Sequence, residues 1–145
     1  MKLSKIREVK TPTRGTPESA GIDFYVPNDF EEKTIFPEGS VFVPSGIKAN
    51  VPKGHALIAF NKSGVALKKS LADGACVVDE DYQGEIHLHL YNFGEEPTTV
   101  KPGEKILQMV LVPVFYDDVE IVDEKDLYSS TSVRGDGGFG STGNF

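Results

Sequence analysis

Short β-prone runs separated by turn-forming residues most limit what this chain can fold into. The runs are rich in Val, Ile, Leu and Phe, and turn pairs such as Pro-Asn at 27–28 and Pro-Gly at 102–103 interrupt them. They cover residues 22–26, 40–43, 47–51, 56–61, 85–92, 105–115 and 119–122. Strands of this length and spacing predict an all-β sandwich or barrel. One short helix is predicted over residues 64–71, with Ser63 as its N-cap.

Two of these runs also indicate which faces are covered. Residues 85–92 alternate, so Ile86, Leu88 and Leu90 point one way and His87, His89 and Tyr91 point the other. Residues 106–115 are apolar on both faces, which is typical of a strand covered on both sides. In a chain this small, a second subunit could supply one of the two covers, and we therefore expect an oligomer.

The charge of the chain excludes several classes of partner. Its 145 residues include 22 Asp or Glu and 15 Lys or Arg, giving a formal net charge of −7. A general nucleic-acid binder or a protein docked on an anionic membrane usually carries a basic face, so neither class is expected. No apolar run approaches the roughly 18 residues of a membrane span, and residues 1–10 lack an apolar signal core. With a single cysteine, this predicts a cytoplasmic protein.

Along the chain we predict one β-rich domain over residues 1–128 and a flexible arm over residues 129–145. Five of the 15 glycines follow Arg134, beside Phe139, Ser141 and Thr142. Glycine lets backbone N–H groups approach phosphate, Arg is a forked phosphate donor, and an aromatic ring can stack on a base. The arm is thus either a flap that closes over a phosphorylated ligand or an ordinary mobile end.

Three internal segments could also carry chemistry. Residues 61–65, Asn-Lys-Ser-Gly-Val, suit an anion site at a helix start or an ordinary cap. The acids of residues 77–84, Val-Val-Asp-Glu-Asp-Tyr-Gln-Gly, would lie at the turn of a predicted β-hairpin. There a carboxylate could act as a general base or as a water-mediated metal ligand, or simply be solvated. Asp23, among apolar neighbours, needs a partner, which could be backbone donors or a charged group.

Two further features favour plain structural roles. His87 and His89 lie two residues apart on one strand face, a spacing that can bind zinc, but no third His or Cys lies nearby in sequence. Cys76 lacks a neighbouring His in sequence, which favours a buried thiol over a nucleophile.

Taken in order, five segments resemble the five motifs of the trimeric dUTPases. They are Ala-Gly-Ile-Asp-Phe at 20–24, Lys-Ser-Gly-Val-Ala at 62–66, residues 77–84, Gly-Glu-Lys-Ile-Leu-Gln-Met-Val at 103–110 and Arg-Gly-Asp-Gly-Gly-Phe-Gly-Ser-Thr-Gly at 134–143. One such motif alone would be weak evidence for the family, but five in the same order are highly specific to it. The resemblance implies a distorted jelly-roll-like β subunit with one short helix and a Gly-rich arm. It also implies a homotrimer with three active sites, each built from three subunits.

The same resemblance implies hydrolysis of dUTP to dUMP and pyrophosphate, which limits uracil incorporation into DNA and supplies dUMP for thymidylate synthesis. Asp79 would be the general base for a water that attacks the α-phosphorus. Mg²⁺ would be held mainly by the substrate phosphates, with Asp23 supporting its waters or a basic partner.

Substrate-binding roles follow from the resemblance as well. Lys62, Ser63 and Gly64 would bind the phosphate chain, and Gln108 would hold the α-phosphate and the water. Tyr82 would pack on the deoxyribose. The backbone of five consecutive residues would read uracil, namely Gly74, Ala75, Cys76, Val77 and Val78. From the arm, Arg134 would pair with the γ-phosphate, Phe139 would cover uracil, and the remaining contacts would come from Gly138, Gly140, Ser141 and Thr142.

Three departures from the family pattern concern the second, third and first motifs. Lys62 stands where Arg is usual, so a bidentate phosphate contact becomes a point charge. Asp73-Gly-Ala-Cys76 replaces the usual Asn-x-x-Gly, which removes an amide donor and a glycine from the uracil-reading segment. Phe24 replaces a common Leu.

Two alternatives stay open on the sequence. The dCTP deaminases share the fold but use a Glu base in a different hairpin sequence, and Val78-Asp79 with Tyr82 favours a dUTPase. The alternative from another class is an interaction protein, since some phage dUTPases bind host regulators.

Overall fold

The computed structural model describes residues 1–75, 77–138 and 141. Packing divides the chain into two compact units, Met1–Phe115 and Tyr116–Phe145. Among the residues described, the first unit contains twelve strands and helix α1 (Ser63–Lys69), and the second contains the single-turn helix α2 (Glu124–Leu127). The strands are β1 (Lys2–Lys5), β2 (Thr13–Arg14), β3 (Ile22–Tyr25), β4 (Lys33–Ile35), β5 (Ser40–Pro44), β6 (Ile47–Asn50), β7 (His55–Phe60), β8 (Leu71–Asp73), β9 (Val77–Val78), β10 (His87–Asn92), β11 (Thr98–Val100) and β12 (Lys105–Pro113).

Every strand pair within the described residues is antiparallel, which confirms the predicted β class. By their pairing, the described strands form four sheets, with the orders β1-β6, β5-β10-β8, β11-β4 and β2-β3-β12-β7-β9. In the five-stranded sheet β12 is central, with β3 on one side and β7 on the other. This sheet therefore contains residues of three separate sequence motifs, those at 20–24, 77–84 and 103–110.

The predicted hairpin over residues 77–84 is wrong. β9 pairs with β7 of the five-stranded sheet, whereas β10 pairs with β5 and β8 of another sheet. Residues 79–84 therefore connect two sheets and do not close a ladder between adjacent strands. The sequence predicts the turn correctly, but the partner of each flanking strand is a long-range choice.

Six of the seven predicted runs are strands in the structure, with ends that differ by at most two residues. The run at 119–122 is not a strand: Val119 and Ile121 are each 90% exposed. Their β-branched side chains favour a strand locally, but among the described residues no neighbouring strand accepts their backbone hydrogen bonds. The sequence also missed short strands such as β1 and β11, which contain too few apolar residues to show alternation.

The core forms where the inward faces of the sheets meet. Ile86, Leu88 and Leu90 are at most 1% exposed, which confirms the alternation predicted along β10. On β12, Met109 is buried, whereas Val110 and Leu111 are only half-buried. One chain by itself thus covers β12 less completely toward its C-terminal end.

Helix α1 begins one residue earlier than predicted. Lys62 is the N-cap, with extended backbone and no side-chain cap hydrogen bond, so the prediction of Ser63 as the N-cap is wrong. Ser63 already has helical geometry, and the Lys62 side chain turns away to an acid on β3. Neither of the two helices in the described part of the chain is long and apolar enough to cross a membrane.

Candidate active site

Asp23 lies at the centre of an ion cluster on the five-stranded sheet. Its side chain is only 7% exposed, and Lys62 Nζ donates a hydrogen bond to its Oδ1. Lys105 Nζ lies 3.0 Å from its Oδ2. Two lysines from different segments thus share one buried carboxylate, and we call these three residues the lysine–aspartate cluster.

The two lysines control the charge of Asp23. Burial, the largest single influence, would raise the pKa of its carboxyl, but hydrogen bonds and attraction from Lys62 and Lys105 outweigh it. The net effect is a pKa below the usual value, so Asp23 is ionised at neutral pH. Asp23 in turn raises the pKa of Lys105. One carboxylate and two ammonium groups leave a local charge of +1 in a chain of net −7.

Gln108 lies beside this cluster, since it pairs with Asp23 on β3 and with Phe60 on β7. Its Nε2 donates to the Asn61 carbonyl at 2.8 Å. A Cβ on Gly21 would lie 2.1 Å from Gln108 Oε1, so only glycine leaves room for this amide. A cavity of about 420 Å³ opens here and is lined by Ala20, Gly21, Phe60, Asn61, Asp73, Gln108 and Val110.

Ser63 and Gly64 lie at the solvent-exposed start of α1, directly after Lys62. A Cβ on Gly64 would have open space around it. The structure therefore places Lys62, Ser63 and Gly64 with Asp23 and Gln108, as one group with accessible donors.

A second group surrounds the turn after β9. Asp79 is exposed, and Tyr82 is 44% exposed and donates from its Oη to the Glu85 carbonyl at 2.8 Å. Glu80 Oε2 accepts the Gly54 N–H at 2.6 Å, which fixes the turn to the loop before β7. Val78 is buried behind Asp79. A cavity of about 210 Å³ is lined by Val77, Val78 and Tyr82 among others.

Within one chain these two groups lie apart. Gln108 pairs with Phe60 near the end of β7, while Val78 pairs with Leu57 on the other edge of the same strand. Leu57 and Phe60 are three residue steps apart, which corresponds to roughly 10 Å of strand, and Asp79 lies one residue further along. Asp79 therefore does not reach the lysine–aspartate cluster of its own chain.

The residues predicted to read uracil begin directly after β8 and include both residues of β9. The Gly74 N–H donates to the His89 carbonyl at 2.9 Å, and the Ala75 N–H donates to His89 Nδ1 at 3.0 Å. Ala75 and Val77 are exposed. Cys76 lies outside the described residues.

Part of the predicted arm is described, within the C-terminal unit. Arg134 Nε donates to the Gly137 carbonyl at 2.7 Å, and the Ser141 N–H donates to the Gly138 carbonyl at 2.9 Å. Phe139, Gly140 and Thr142 lie outside the described residues, so the contacts predicted for them remain predictions.

Comparison with known proteins shows the family. The dUTPase family model matches residues 7–143, which is nearly the whole chain. The chain belongs to the dUTPase family. Among curated dUTPases it is 41% identical to the deoxyuridine 5′-triphosphate nucleotidohydrolase of Desulfitobacterium hafniense, over 97% of this chain and 92% of that protein. It is 38% identical to the Yarrowia lipolytica enzyme of the same name, over 99% of this chain and 88% of that protein.

Solved dUTPase structures share the fold. The dUTPase of Staphylococcus bacteriophage 80alpha, in a structure with dUPNHPP, superposes with a TM-score of 0.85 at 22% identity, covering 98% of this chain and 97% of that one. A mutant dUTPase of Staphylococcus aureus phage phi11, described with a structural Mg(II) ion, gives a TM-score of 0.73 at 19% identity. That match covers 85% of this chain and 96% of the phage chain.

In this dUTPase the described residues form no group of three or more His, Cys, Asp or Glu side chains positioned to hold a metal. Both oxygens of Asp23 already interact with lysines, so its carboxylate is not an open metal ligand.

Sequence reasoning did not assign roles to several dUTPase residues that shape the site. Lys105 reaches Asp23, although the ladder pairs Asp23 with Gln108, because a β-bulge between Lys105 and Leu107 shifts the register. Asn61 connects two strands, since its side chain accepts the Asp73 N–H at 2.7 Å and its carbonyl accepts from Gln108. For His89 the sequence pattern favoured a plain structural role over zinc binding, and it did not indicate which group the ring would contact. No local pattern in the sequence signals these contacts.

Proposed function

We propose that this dUTPase-family enzyme hydrolyses dUTP to dUMP and pyrophosphate, and that it thereby limits uracil incorporation into DNA and supplies dUMP for thymidylate synthesis. The observation that supports the proposal is the exposure of the Asp79 side chain and the hydrogen bonding around it. Its carboxylate is exposed directly after the buried Val78, and no other described group hydrogen-bonds it. The adjacent Glu80, by contrast, is held by Gly54. An exposed carboxylate without a competing partner can accept a proton from water.

The phosphate chain would bind at the lysine–aspartate cluster. Its local charge of +1 attracts a polyanion, although the chain as a whole is acidic. The exposed hydroxyl of Ser63 and the open backbone of Gly64 lie next to Lys62 and supply uncharged donors. Gln108, held by the Asn61 carbonyl, would position the α-phosphate and the attacking water.

Mg²⁺ fits this site only as an ion held by the substrate. Because both oxygens of Asp23 accept from lysines, we propose that the phosphates bind the metal and that Asp23 reaches it only through water. When bound, Mg²⁺ would neutralise phosphate charge and stabilise the pyrophosphate leaving group.

The nucleoside would bind at the second group. We propose that the exposed ring of Tyr82 packs against the deoxyribose and leaves no room for a 2′-hydroxyl. Its Oη bond to Glu85 holds the ring in one orientation. The backbone of residues 74–78 would read the hydrogen-bonding edge of uracil.

Because the two groups lie apart in one chain, we propose that the complete site forms between subunits of a homotrimer. Asp79 and Tyr82 of one subunit would face the lysine–aspartate cluster of another. The half-buried Val110 and Leu111 of β12 leave apolar surface for such an assembly. We further propose that residues 129–145 act as an arm that covers bound nucleotide, which rests on its glycines, Arg134 and Phe139.

The test is pyrophosphate release from dUTP with Mg²⁺. Asp79→Asn should lower kcat at least about 100-fold, the typical lower limit for loss of a general base. Asp81→Asn is the matched control, since Asp81 is another exposed acid of the same turn, and it should retain most activity. A wild-type protein that releases no pyrophosphate would refute the proposed function, and ammonia release from dCTP would indicate a deaminase. An active Asp79→Asn variant would refute only the base assignment.

A further inference from the structure

His89 holds the segment proposed to read uracil. From β10, its ring Nδ1 accepts the Ala75 N–H at 3.0 Å, and its backbone carbonyl accepts the Gly74 N–H at 2.9 Å. Two successive N–H groups of the segment are therefore bound by one residue. Only the Ala75 bond depends on the histidine side chain.

The segment also packs directly against the imidazole. A Cβ on Gly74 would lie 2.1 Å from His89 Nδ1, so the glycine backbone lies against the ring with no room for a side chain. On the other side, the ring of Phe42 meets His89 edge to face, with centroids 5.8 Å apart. The ring is thus held between a strand of the sheet and the segment, which fixes the direction of Nδ1.

We propose that His89 is a positioning residue for the nucleobase, which anchors the Gly74–Ala75 backbone of the uracil-reading segment only while the imidazole is neutral. The proposal rests on the proposed function, in which that backbone reads uracil. It predicts that affinity for dUTP depends on pH through a residue that does not itself touch the substrate.

The direction of the effect follows from the hydrogen bond. To accept the Ala75 N–H, Nδ1 must keep its lone pair, so the ring proton lies on Nε2. With both nitrogens protonated, an N–H would face the Ala75 N–H, and the segment would lose its anchor. Binding should therefore weaken as pH falls.

Other groups near His89 define the controls. Phe42, which faces His89 from β5, does not titrate. On β8 the nearest titratable residue is Asp73, which lies opposite Leu90 and directly before Gly74. By alternation, three titratable side chains lie on the same side of residues 85–92 as His89, namely Glu85, His87 and Tyr91. Of these, Glu85 forms an ion pair with Arg7. His87 is the competing candidate, because its ring stacks on Phe42 at 4.6 Å and its Nδ1 contacts the Glu85 carbonyl.

The first experiment measures KM and kcat for dUTP at pH 5.5 and pH 8 in wild type, His89→Asn and His89→Leu. The Asn side chain keeps an acceptor close to the position of Nδ1 at every pH, whereas Leu has none. Titration of dUTP itself affects all variants equally. Wild-type KM should rise between pH 8 and 5.5 by roughly three- to tenfold more than that of His89→Asn, the range for one hydrogen bond.

The KM of His89→Leu should already be raised at pH 8, and its ratio of KM at pH 5.5 to KM at pH 8 should equal that of His89→Asn. The kcat of each variant should stay within about twofold of the wild-type value. His87→Asn is the matched control, and it should keep the wild-type pH ratio. The proposal would be overturned if the ratio of KM at pH 5.5 to KM at pH 8 were equal in wild type and His89→Asn. It would also be overturned if that ratio fell in His87→Asn to the value found for His89→Asn. A wild-type KM in His89→Leu would overturn it as well.

A second measurement separates this proposal from the proposed function. In the nucleotide-free protein, the ¹⁵N shifts of the His89 ring and of the Ala75 amide should change together with pH, and the Ala75 change should be absent in His89→Asn. An Ala75 amide that does not respond to His89 protonation would overturn the proposal, whatever the protein hydrolyses. If the shifts behave as expected but wild type releases no pyrophosphate, the anchor stands as a structural fact and its role in dUTP binding is refuted.

Discussion

Replacing Asp23 with asparagine removes the negative charge that Lys62 and Lys105 share. The Asp23 side chain is 7% exposed, the Lys62 side chain 19% and the Lys105 side chain 48%. The variant keeps the shape of the residue but leaves two ammonium groups beside a neutral amide. The measured loss therefore reports charge pairing and not a cavity.

The size of the effect follows from burial. A hydrogen bond to a charged group contributes about 1.5–3 kcal/mol when it is protected, and removing one partner of a buried pair costs about 3–5 kcal/mol. The Lys105 contact is half-exposed and contributes less, because solvent screens it. The asparagine oxygen also still accepts one hydrogen bond. We expect Asp23→Asn to lower the free energy of unfolding by about 3 kcal/mol at pH 7.

The assay is urea denaturation at fixed protein concentration, since dissociation of an oligomer would contribute to the transition. Asp29→Asn is the matched control. Asp29 pairs with Arg7 at 3.1 Å, but both side chains are more than a third exposed. Its loss should cost much less than that of Asp23, because solvent screens the pair. If the two variants lose the same stability, the lysine–aspartate cluster is an ordinary surface ion pair and the reasoning fails.

The pH dependence gives a second check on the same residue. The pKa of Asp23 is lowered in the folded state, so its contribution is complete above the unfolded value of about 3.9 and is lost as pH falls through the lower folded value. The stability difference between wild type and Asp23→Asn should stay constant from pH 7 to about pH 4 and shrink only below that. A difference that disappears near pH 6 would point to another titrating group.

Three further predictions concern the rest of the site. In Gly21→Ala, the alanine Cβ would lie 2.1 Å from the amide oxygen of Gln108 and should displace this side chain from the Asn61 carbonyl. Steady-state kinetics should then show a fall in kcat/KM for dUTP of about tenfold. Tyr82→Phe should cost about 1 kcal/mol in urea denaturation through loss of the Oη bond, with little change in KM if the ring alone packs on deoxyribose. Deleting residues 134–145 should reduce turnover severely and leave the melting temperature of the first unit unchanged, and unaltered turnover would refute the arm as a lid.

Much of the fold could be predicted because its signals are local. The alternation through Ile86, Leu88 and Leu90 depends only on the two-residue period of a strand, and all three side chains are buried. The run at 119–122 has the same local appearance and is exposed. Propensity alone does not supply the neighbouring strand that a strand needs, so such a run is decided by its tertiary surroundings.

The order of the five motifs along the chain determined the family, because residue identity and spacing are properties of the sequence. Tertiary structure alone decided which groups meet. The bulge before Leu107 brings Lys105 to Asp23, and the pairing of β10 with β8 brings His89 to Ala75, 14 residues away. Both contacts depend on strand register across long chain separations, where a shift of one residue moves every side chain to the opposite face. The chemical groups of the site could therefore be predicted from the sequence, whereas the contacts between them could be identified only from the fold.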